Sequence, residues 1–435
     1  MPKVSGYTLG CKVSQYETEA IIESLLRLGY TRAGEDEPAD VYVINTCTVT
    51  AESDRKSRQA VRRCIGRNPN AIIAVCGCYA QRAPEELASI DGVDLVFGTD
   101  GKMQIAEAVA ALASGVSGAK IRVTSLEGRP FEPMSITSCS RTRAYVKIED
   151  GCECRCSYCA ISAARGPVRS KRPEDVISEV EALSRGGAPE IVLTGIETGS
   201  YGRDLDGDID LGSLIAELDR RGECRSIRLG SLAPELCGES FVESIRGARA
   251  LAPHFHLSMQ SGSDRILGLM RRRYNRKMAL ENISRLRENI PGACFTTDLM
   301  VGFPGETEED FMQTVSLVRE ARFLDAHVFA YSRRAGTVAA DMKDQVPESV
   351  KRRRSAELIA VKNEVRDSVL DGIVSAGELD AVLESYSDGR YTAHSRQFAE
   401  ISVAAEAGAT GEWVRVRPLH HKDGVIYAEL VLSNE

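Results

Sequence analysis

Between about residue 141 and residue 330, six short apolar runs alternate with helical patterns, and this alternation leaves few folds open. The runs are 144–149, 190–196, 226–232, 254–260, 295–303 and 326–332. The helical patterns cover about 173–186, 211–221, 239–249, 263–288 (expected to be broken) and 307–321. Antiparallel strands close with two-residue turns, whereas parallel strands need a crossover long enough for a helix. Repeated strand–helix units therefore predict parallel strands with right-handed crossovers. Six units instead of eight predict an incomplete β/α barrel, open on one side. In such folds chemistry gathers at the C-terminal strand ends.

The flanking stretches read differently. Residues 1–115 have the rhythm of a separate α/β domain with a parallel sheet. VYVINTC (41–47) and AIIAVCGC (71–78) read as buried strands, and TEAIIESLLRLGY (18–30) places Ala20, Ile21, Leu25, Leu26 and Leu28 on one helical face. Residues 116–140 are richer in Gly, Ser and Pro and are expected to be a linker, with the barrel unit and a connector helix filling 141–366. From 367 to 435, about five short strand-like runs with Gly or Asp at the turns predict a small β-barrel.

A chain of 435 residues is long enough for two or three such domains. The start, MPKVSGYTLG, lacks the pattern of a secretory signal, and no apolar run approaches 18 residues, so a cytoplasmic protein without a membrane span is expected. The net charge of −8 excludes a wholly basic nucleic-acid binder. Basic runs at Arg62–Arg63, Arg165–Arg172, Arg271–Arg273 and Lys351–Arg354 are either solvated helix faces or local phosphate sites. Asp371 to Glu435 holds 11 acidic and 5 basic side chains, a net of −6, the wrong sign for phosphate unless a basic face survives around Arg390, Arg396, Arg415, Arg417 and Lys422.

Thirteen cysteines in a reducing compartment point to metal or catalysis, not to disulfides. GCECRCSYC (151–159), just after the first barrel strand, holds Cys152-X3-Cys156-X2-Cys159 with Cys154 inside the loop. Three thiolates in so short a loop can surround one iron–sulfur cluster and leave one iron open. A four-cysteine zinc site is the alternative, although zinc sites usually use two CX2C-type pairs with a longer spacer. Cys11, Cys47 and Cys78 each fall at or just beyond a predicted strand end, where a parallel sheet can gather them at one edge. Their spacing alone leaves a shared metal site and separate core thiols both open. Cys76 reads as a packed core thiol, and Cys64, Cys139, Cys224, Cys237 and Cys294 as isolated small hydrophobes. His254 and His256, on a barrel strand, read as packing residues.

The segments LGCK, NTC, GCYAQ, GC…C…C, ARGPVRS, DLMVGFPGET and HVFAYSRR, in this order, resemble the radical S-adenosylmethionine (SAM) methylthiotransferase family over nearly the whole chain. The resemblance implies two [4Fe–4S] clusters, one on Cys152, Cys156 and Cys159 that binds and cleaves SAM, and one on Cys11, Cys47 and Cys78 that carries the sulfur. It implies that Tyr158 lies by the adenine of SAM and that the C-terminal barrel is an RNA-binding TRAM domain. Gly195 and Glu197, Ser231, Gln260, Asp298, and the Gly302–Pro304 turn, all near strand ends, are the candidate SAM contacts. TLGCKVSQYE resembles the branch that methylthiolates C2 of N6-threonylcarbamoyladenosine at tRNA position 37. The implied partners are a tRNA anticodon stem-loop, an electron donor such as flavodoxin or ferredoxin, and a sulfur donor; a monomer is expected. Ser14, Ser162 and Ala233 depart from the family pattern, which has Asn near the first cysteine, Pro after the third loop cysteine and Glu in the third barrel strand. The alternatives are action on isopentenyladenosine tRNA or on a ribosomal-protein aspartate, a radical SAM enzyme with a silent first domain, and a zinc-stabilised RNA-binding protein without catalysis.

Overall fold

The structure, a computed structural model, describes residues 1–34, 37–116, 118–138, 142–405 and 409–431; Cys139 lies outside them. Strands β1 (Lys3–Thr8), β2 (Thr31–Arg32), β3 (Val41–Thr46), β4 (Ile72–Gly77), β5 (Leu95–Phe97) and β6 (Ile121–Arg122) form one parallel sheet in the order β2-β1-β3-β4-β5-β6. Helices α1 (Lys12–Arg27), α2 (Ala51–Arg67), α3 (Cys78–Arg82), α4 (Pro84–Ala88) and α5 (Ile105–Ala113) cover both faces. Ile21, Leu25 and Val109 of α1 and α5 pack with Val41 and Val43, while Val61, Tyr79 and Leu87 from α2, α3 and α4 pack with Tyr42 and Ile44. A strand covered on both faces needs a continuous apolar run, which is why 41–46 does not alternate.

The barrel strands are β7 (Arg143–Lys147), β10 (Glu190–Thr194), β11 (Ile227–Leu229), β12 (His254–Gln260), β13 (Cys294–Val301) and β14 (Asp325–Ala330), with a two-stranded ribbon of β8 (Glu149–Asp150) and β9 (Arg169–Ser170). They form two three-stranded parallel sheets, β7-β10-β11 and β12-β13-β14, joined by a parallel bridge between Leu232 and Leu257. The outer strands β7 and β14 are not paired with each other, so the arc is open, as the six-unit count predicts. Around it run α6 (Ile161–Arg165), α7 (Pro173–Arg185), α8 (Leu211–Arg221), α9 (Glu239–Ile245), α10 (Asp264–Leu269), α11 (Arg276–Asn289) and α12 (Glu308–Ala321). The expected break in 263–288 is the gap between α10 and α11.

The connector is α13 (Glu348–Ser375), and no helix among the described residues is long and apolar enough to cross a membrane. After it, β15 (Leu379–Ser387), β16 (Arg390–Ser395), β17 (Glu400–Ala404), β18 (Trp413–Lys422) and β19 (Val425–Leu430) close into a barrel in the order β15-β16-β17-β19-β18. Small barrels bury alternate residues, and β17 does so with Ile401 and Val403 inward.

These units interlock. Helix α1 serves two cores: Ile21 and Leu25 face its own sheet, and Tyr16 and Ala20 join the barrel core. Residues 118–138 lie as a strap, in which β6 edges the first sheet and Met134 and Ile136 are buried in the barrel core. Glu23 of α1 accepts the backbone N–H groups of Thr137 and Ser138 at 3.0 and 3.1 Å. The C-terminal barrel docks through Trp413, whose indole N–H donates to the Pro189 carbonyl at 2.8 Å, and Arg396, which donates to Leu251 at 3.0 Å.

Candidate functional site

In the first sheet β1, β3 and β4 are neighbours and parallel, so their C-terminal ends share an edge. Cys11 caps the start of α1 after β1, Cys47 follows β3, and Cys78 opens α3 after β4. Gly77 makes the turn into α3 at φ +100, where a Cβ would sit 2.5 Å from the Thr46 carbonyl oxygen, so only glycine fits. Ser14 is buried behind the first cysteine, its hydroxyl 3.8 Å from the Cys11 sulfur. Cys76, two residues before Cys78, is a fully buried core thiol pushed by burial up to about 12.

Cys78 adjoins a buried charge network that spans the two domains. Arg165 of α6 donates Nε to the Cys78 sulfur at 3.1 Å and Nη1 to Glu17 at 2.5 Å and Asp150 at 3.1 Å. Glu17 also takes Lys102 at 2.5 Å and Lys147 at 2.8 Å, and Arg169 lies 3.4 Å from Asp150 and 3.9 Å from Asp100. Arg129 reaches Asp100 as well, at 3.8 Å, so cations outnumber the carboxylates they pair with here and a Cys78 thiolate would offset part of the excess. Burial raises the Cys78 thiol above its ordinary range against the pull of Arg165, but coordination deprotonates a thiol outright. The donor set therefore fits a metal-bound sulfur here.

The loop 151–159 leaves β8 and returns through α6. Ser157 pins it to the α10 end, donating its N–H to Met270 at 3.1 Å and its hydroxyl to Leu269 at 2.8 Å. Two cysteine sulfurs accept hydrogen bonds: Cys156 from Arg272 Nη1 at 3.3 Å and Cys159 from the Ile161 N–H at 3.3 Å. Such donors stabilise thiolate, the ligand form. Cys154 shares a hydrogen bond with Cys152 that pulls its thiol down to about 6. Among the described residues no three His, Cys, Asp or Glu gather as a single metal ion would require. A four-iron cluster spreads its ligand sulfurs over separate irons, so it does not need that closeness.

The candidate SAM contacts fall into distinct groups. Gln260 ends β12 buried, at φ +62, with its side-chain carbonyl oxygen unpartnered among the described residues. Glu197 is buried and accepts the Ala233 N–H at 3.1 Å; burial, then the Cys154 charge, raises its carboxyl to about 7. Ala233 thus contributes a backbone donor, and the carboxylate nearby is Glu235, one of whose oxygens is buried without a partner. Gly195 leaves room for the Glu149 carboxylate, which a Cβ would strike. Tyr158 meets Phe303 edge-on at 6.4 Å, and Asp298 pairs with His256 Nε2 at 3.3 Å. The turn at Gly302 and Pro304 is buried, the Gly302 N–H is spent on Glu306 at 2.7 Å, and Lys351 packs where a Cβ would stand. Gly302 therefore offers its amide to its own chain, not to a ligand. Ser162 is left with a buried, unpartnered hydroxyl.

A cavity of about 540 Å³ lies where the three domains meet. Cys11 and Lys12 line it, with Thr194, Gly195 and Ser231 from the barrel strand ends and Phe398 from the C-terminal barrel. His254 and His256 line it too, and both hydrogen-bond Thr296 Oγ1 at 2.9 Å. Burial, with Arg228 next, holds His254 well below its ordinary range and so neutral. Their expected role as packing residues is thus joined to a place on the cavity wall. Phe398 enters at φ +71, its ring 4.8 Å from each of His254 and His394, with the Arg228 and Arg143 guanidiniums at 4.8 and 5.3 Å. Burial and the nearby Arg228 and Arg143 lower the Lys12 ammonium.

Arg165 and Arg272 stand in the basic runs read above as solvated or phosphate-binding, yet both turn inward to cysteine sulfur. Lys12 lies inside the LGCK segment but nothing local gives it a role, and no local pattern marks Glu235 or Phe398; their places depend on chain segments brought together over long separations. Of the basic residues in the C-terminal barrel, Arg396 is used in docking. Arg415 and Arg417 are exposed but pair with Glu378 at 3.3 and 3.6 Å.

Two family descriptions match this chain: uncharacterized protein family UPF0004 over residues 3–98 and the radical SAM superfamily over residues 146–318. The chain is 38% identical over 445 residues to the threonylcarbamoyladenosine tRNA methylthiotransferase MtaB of Bacillus subtilis, covering 99% of this chain and 96% of that one. It is 32% identical over 422 residues to the tRNA-2-methylthio-N(6)-dimethylallyladenosine synthase of Acetivibrio thermocellus, covering 94% and 87%. Among solved structures, the radical SAM methyltransferase TsrM of Kitasatospora setae, with cobalamin and a [4Fe–4S] cluster bound, shares the fold with a TM-score of 0.57. The identity is 16%, and 78% of this chain and 77% of that one are covered.

Proposed function

The chain belongs to the radical SAM methylthiotransferase family, and from that premise we propose that it inserts a methylthio group at C2 of N6-threonylcarbamoyladenosine at position 37 of tRNA. SAM and an iron–sulfur cluster are its cofactors, and tRNA is its substrate. Cys152, Cys156 and Cys159 would hold the cluster that binds SAM, and Cys11, Cys47 and Cys78 a second one. When bound, these groups supply the carbon radical, the methyl group and the sulfur that no side chain can provide.

The rest falls to the protein. An aromatic C–H bond is beyond general acid–base catalysis, so the side chains hold and orient and do not exchange the proton. Arg272 and the Ile161 N–H steady the sulfurs of the loop, and Arg165 steadies Cys78. Glu197 and Gln260, at the ends of β10 and β12, are placed to receive polar groups of SAM. The observation that carries the reading is that Cys11 and the barrel strand-end residues Thr194, Gly195 and Ser231 face one shared space.

Residues 1–115 act as the sulfur-carrying domain, 116–140 as the link, 141–366 as the radical domain and 367–435 as an RNA-binding barrel. A small redox protein such as flavodoxin or ferredoxin supplies electrons, a separate donor supplies sulfur, and the chain works as a monomer. Part of the tRNA contact lies on α2, where Lys56, Arg62 and Arg63 are exposed with no ion pair among the described residues.

The test is mass spectrometry of nucleosides from tRNA treated anaerobically with reconstituted enzyme, SAM, sulfide and reductant. A methylthio mass increase on threonylcarbamoyladenosine is expected. 5′-Deoxyadenosine without that increase would move the substrate to isopentenyladenosine or ribosomal protein. Replacing Cys11, Cys47 and Cys78 by Ala is expected to end sulfur insertion while SAM cleavage continues; an unchanged product would refute the second cluster.

A further inference from the structure

Lys12 lines the cavity next to Cys11 and has no hydrogen-bond or ion-pair partner among the described residues. The charged groups around it are Arg228, Arg143, Glu190 and the neighbouring Cys11 sulfur, which a cluster would claim. Both arginines are already engaged: Arg143 with Glu190 at 2.7 Å and Glu384 at 2.6 Å, Arg228 with Glu190 at 2.8 Å. Both arginines are thus spent on carboxylates, and Lys12 is the cation of this group without an ion-pair partner among the described residues. The cavity's acidic residues, Asp325, Glu400 and Asp423, belong to β14, the C-terminal barrel and its last turn, and Asp325 is bound by Lys362 at 2.5 Å. A partly desolvated cation without a partner is costly, and an anionic ligand relieves that cost.

We propose that Lys12 selects the substrate by pairing with the carboxylate of its N6-threonylcarbamoyl group. Adjacent residues would then serve one nucleoside, Cys11 on the side of the sulfur and Lys12 on the side of the acid. A void of about 540 Å³ is in the range that encloses a ligand of this size. His254, whose buried Nδ1 has no partner, supplies a further polar atom on the same wall. An uncharged N6 group such as isopentenyl would leave Lys12 dry and unpaired, so the same residue rejects the wrong substrate.

Lys12 has this role only if the threonylcarbamoyl nucleoside is the substrate, so the test reads the two separately. Anticodon stem-loop RNAs carrying the natural carboxylate or its carboxamide are given to reconstituted wild type, Lys12→Met and Lys12→Arg, and kcat/KM and RNA affinity are measured. On the carboxylate RNA, Lys12→Met is expected to lose about tenfold or more in kcat/KM, with most of it restored by Lys12→Arg. On the carboxamide RNA the same variant is expected to change little, and wild type itself should prefer the carboxylate by a similar factor. Equal losses on both RNAs, or none on either, would overturn the assignment. So would a wild type indifferent to the carboxylate, a measurement that needs no variant to fold. Wild type that cleaves SAM but modifies neither RNA would remove the substrate reading and the role of Lys12 together.

Discussion

Arg165 shows how much one side chain can hold in this protein. Its guanidinium reaches a carboxylate of α1, a carboxylate of β8 and the sulfur of Cys78. Removing one member of such a buried set strands the others in low dielectric. Arg165→Met is therefore expected to destabilise the chain by about 3 kcal/mol or more and to lower bound iron, checked by denaturant unfolding and iron analysis. Arg165→Lys keeps the charge but not the fork, and is expected to recover stability only in part. Asp150 adds a pH signature. Burial raises its carboxyl, Arg165 and Lys147 outweigh that, and the result is about 2. Since the ordinary value is about 3.9, its stabilising contribution is present above about pH 4 and lost as pH falls toward 2. Wild type is expected to lose on the order of 2 kcal/mol over that window, and Asp150→Asn to show a flatter acid limb in urea unfolding between pH 5 and 2.

Among the elements, α2 and β18 present basic residues with different consequences. On α2, Lys56, Arg62 and Arg63 are exposed and have no ion pair among the described residues, whereas Arg415 and Arg417 on β18 stand opposite Glu378, Asp380 and Glu429. A cation already countered by a carboxylate releases fewer ions when phosphate arrives. Charge reversal at Lys56, Arg62 and Arg63 is expected to weaken tRNA binding and flatten the salt dependence by about 0.7–0.9 in log–log slope per lost contact. Reversal at Arg415 and Arg417 should weaken it less. Fluorescence anisotropy at several salt concentrations measures both, and unchanged affinity in either variant removes that element from the interface. The same contrast explains why the runs holding Arg165 and Arg272 misled in sequence while Arg62–Arg63 did not: a cluster of arginines looks the same whether it faces water, acid or sulfur.

For the molecule as a whole, Phe398 is one of the residues through which the C-terminal barrel reaches the cavity. It holds a positive φ uncommon for a bulky residue, stacked on His254, tilted against His394 and with two guanidiniums over its ring. Phe398→Ala is expected to cost about 2 kcal/mol of docking and to raise hydrogen exchange across β15–β19 and α13 while leaving the first sheet protected. The units themselves were legible beforehand, because short apolar strand runs and helical runs of period 3.6 are local properties of the chain. Six barrel strands, the broken helix at 263–288 and the five-stranded terminal barrel could be read in that way. The loop Cys152–Cys159 was legible for a similar reason: its three thiols lie within eight residues. Cys11, Cys47 and Cys78 meet one edge only because β1, β3 and β4 are adjacent and parallel, an order set by sheet pairing. Placing Lys12 beside His254 and Phe398, and Arg165 against Cys78, needed three cores packed together. Such contacts span up to hundreds of residues and leave no periodic trace, so only the tertiary structure decided them.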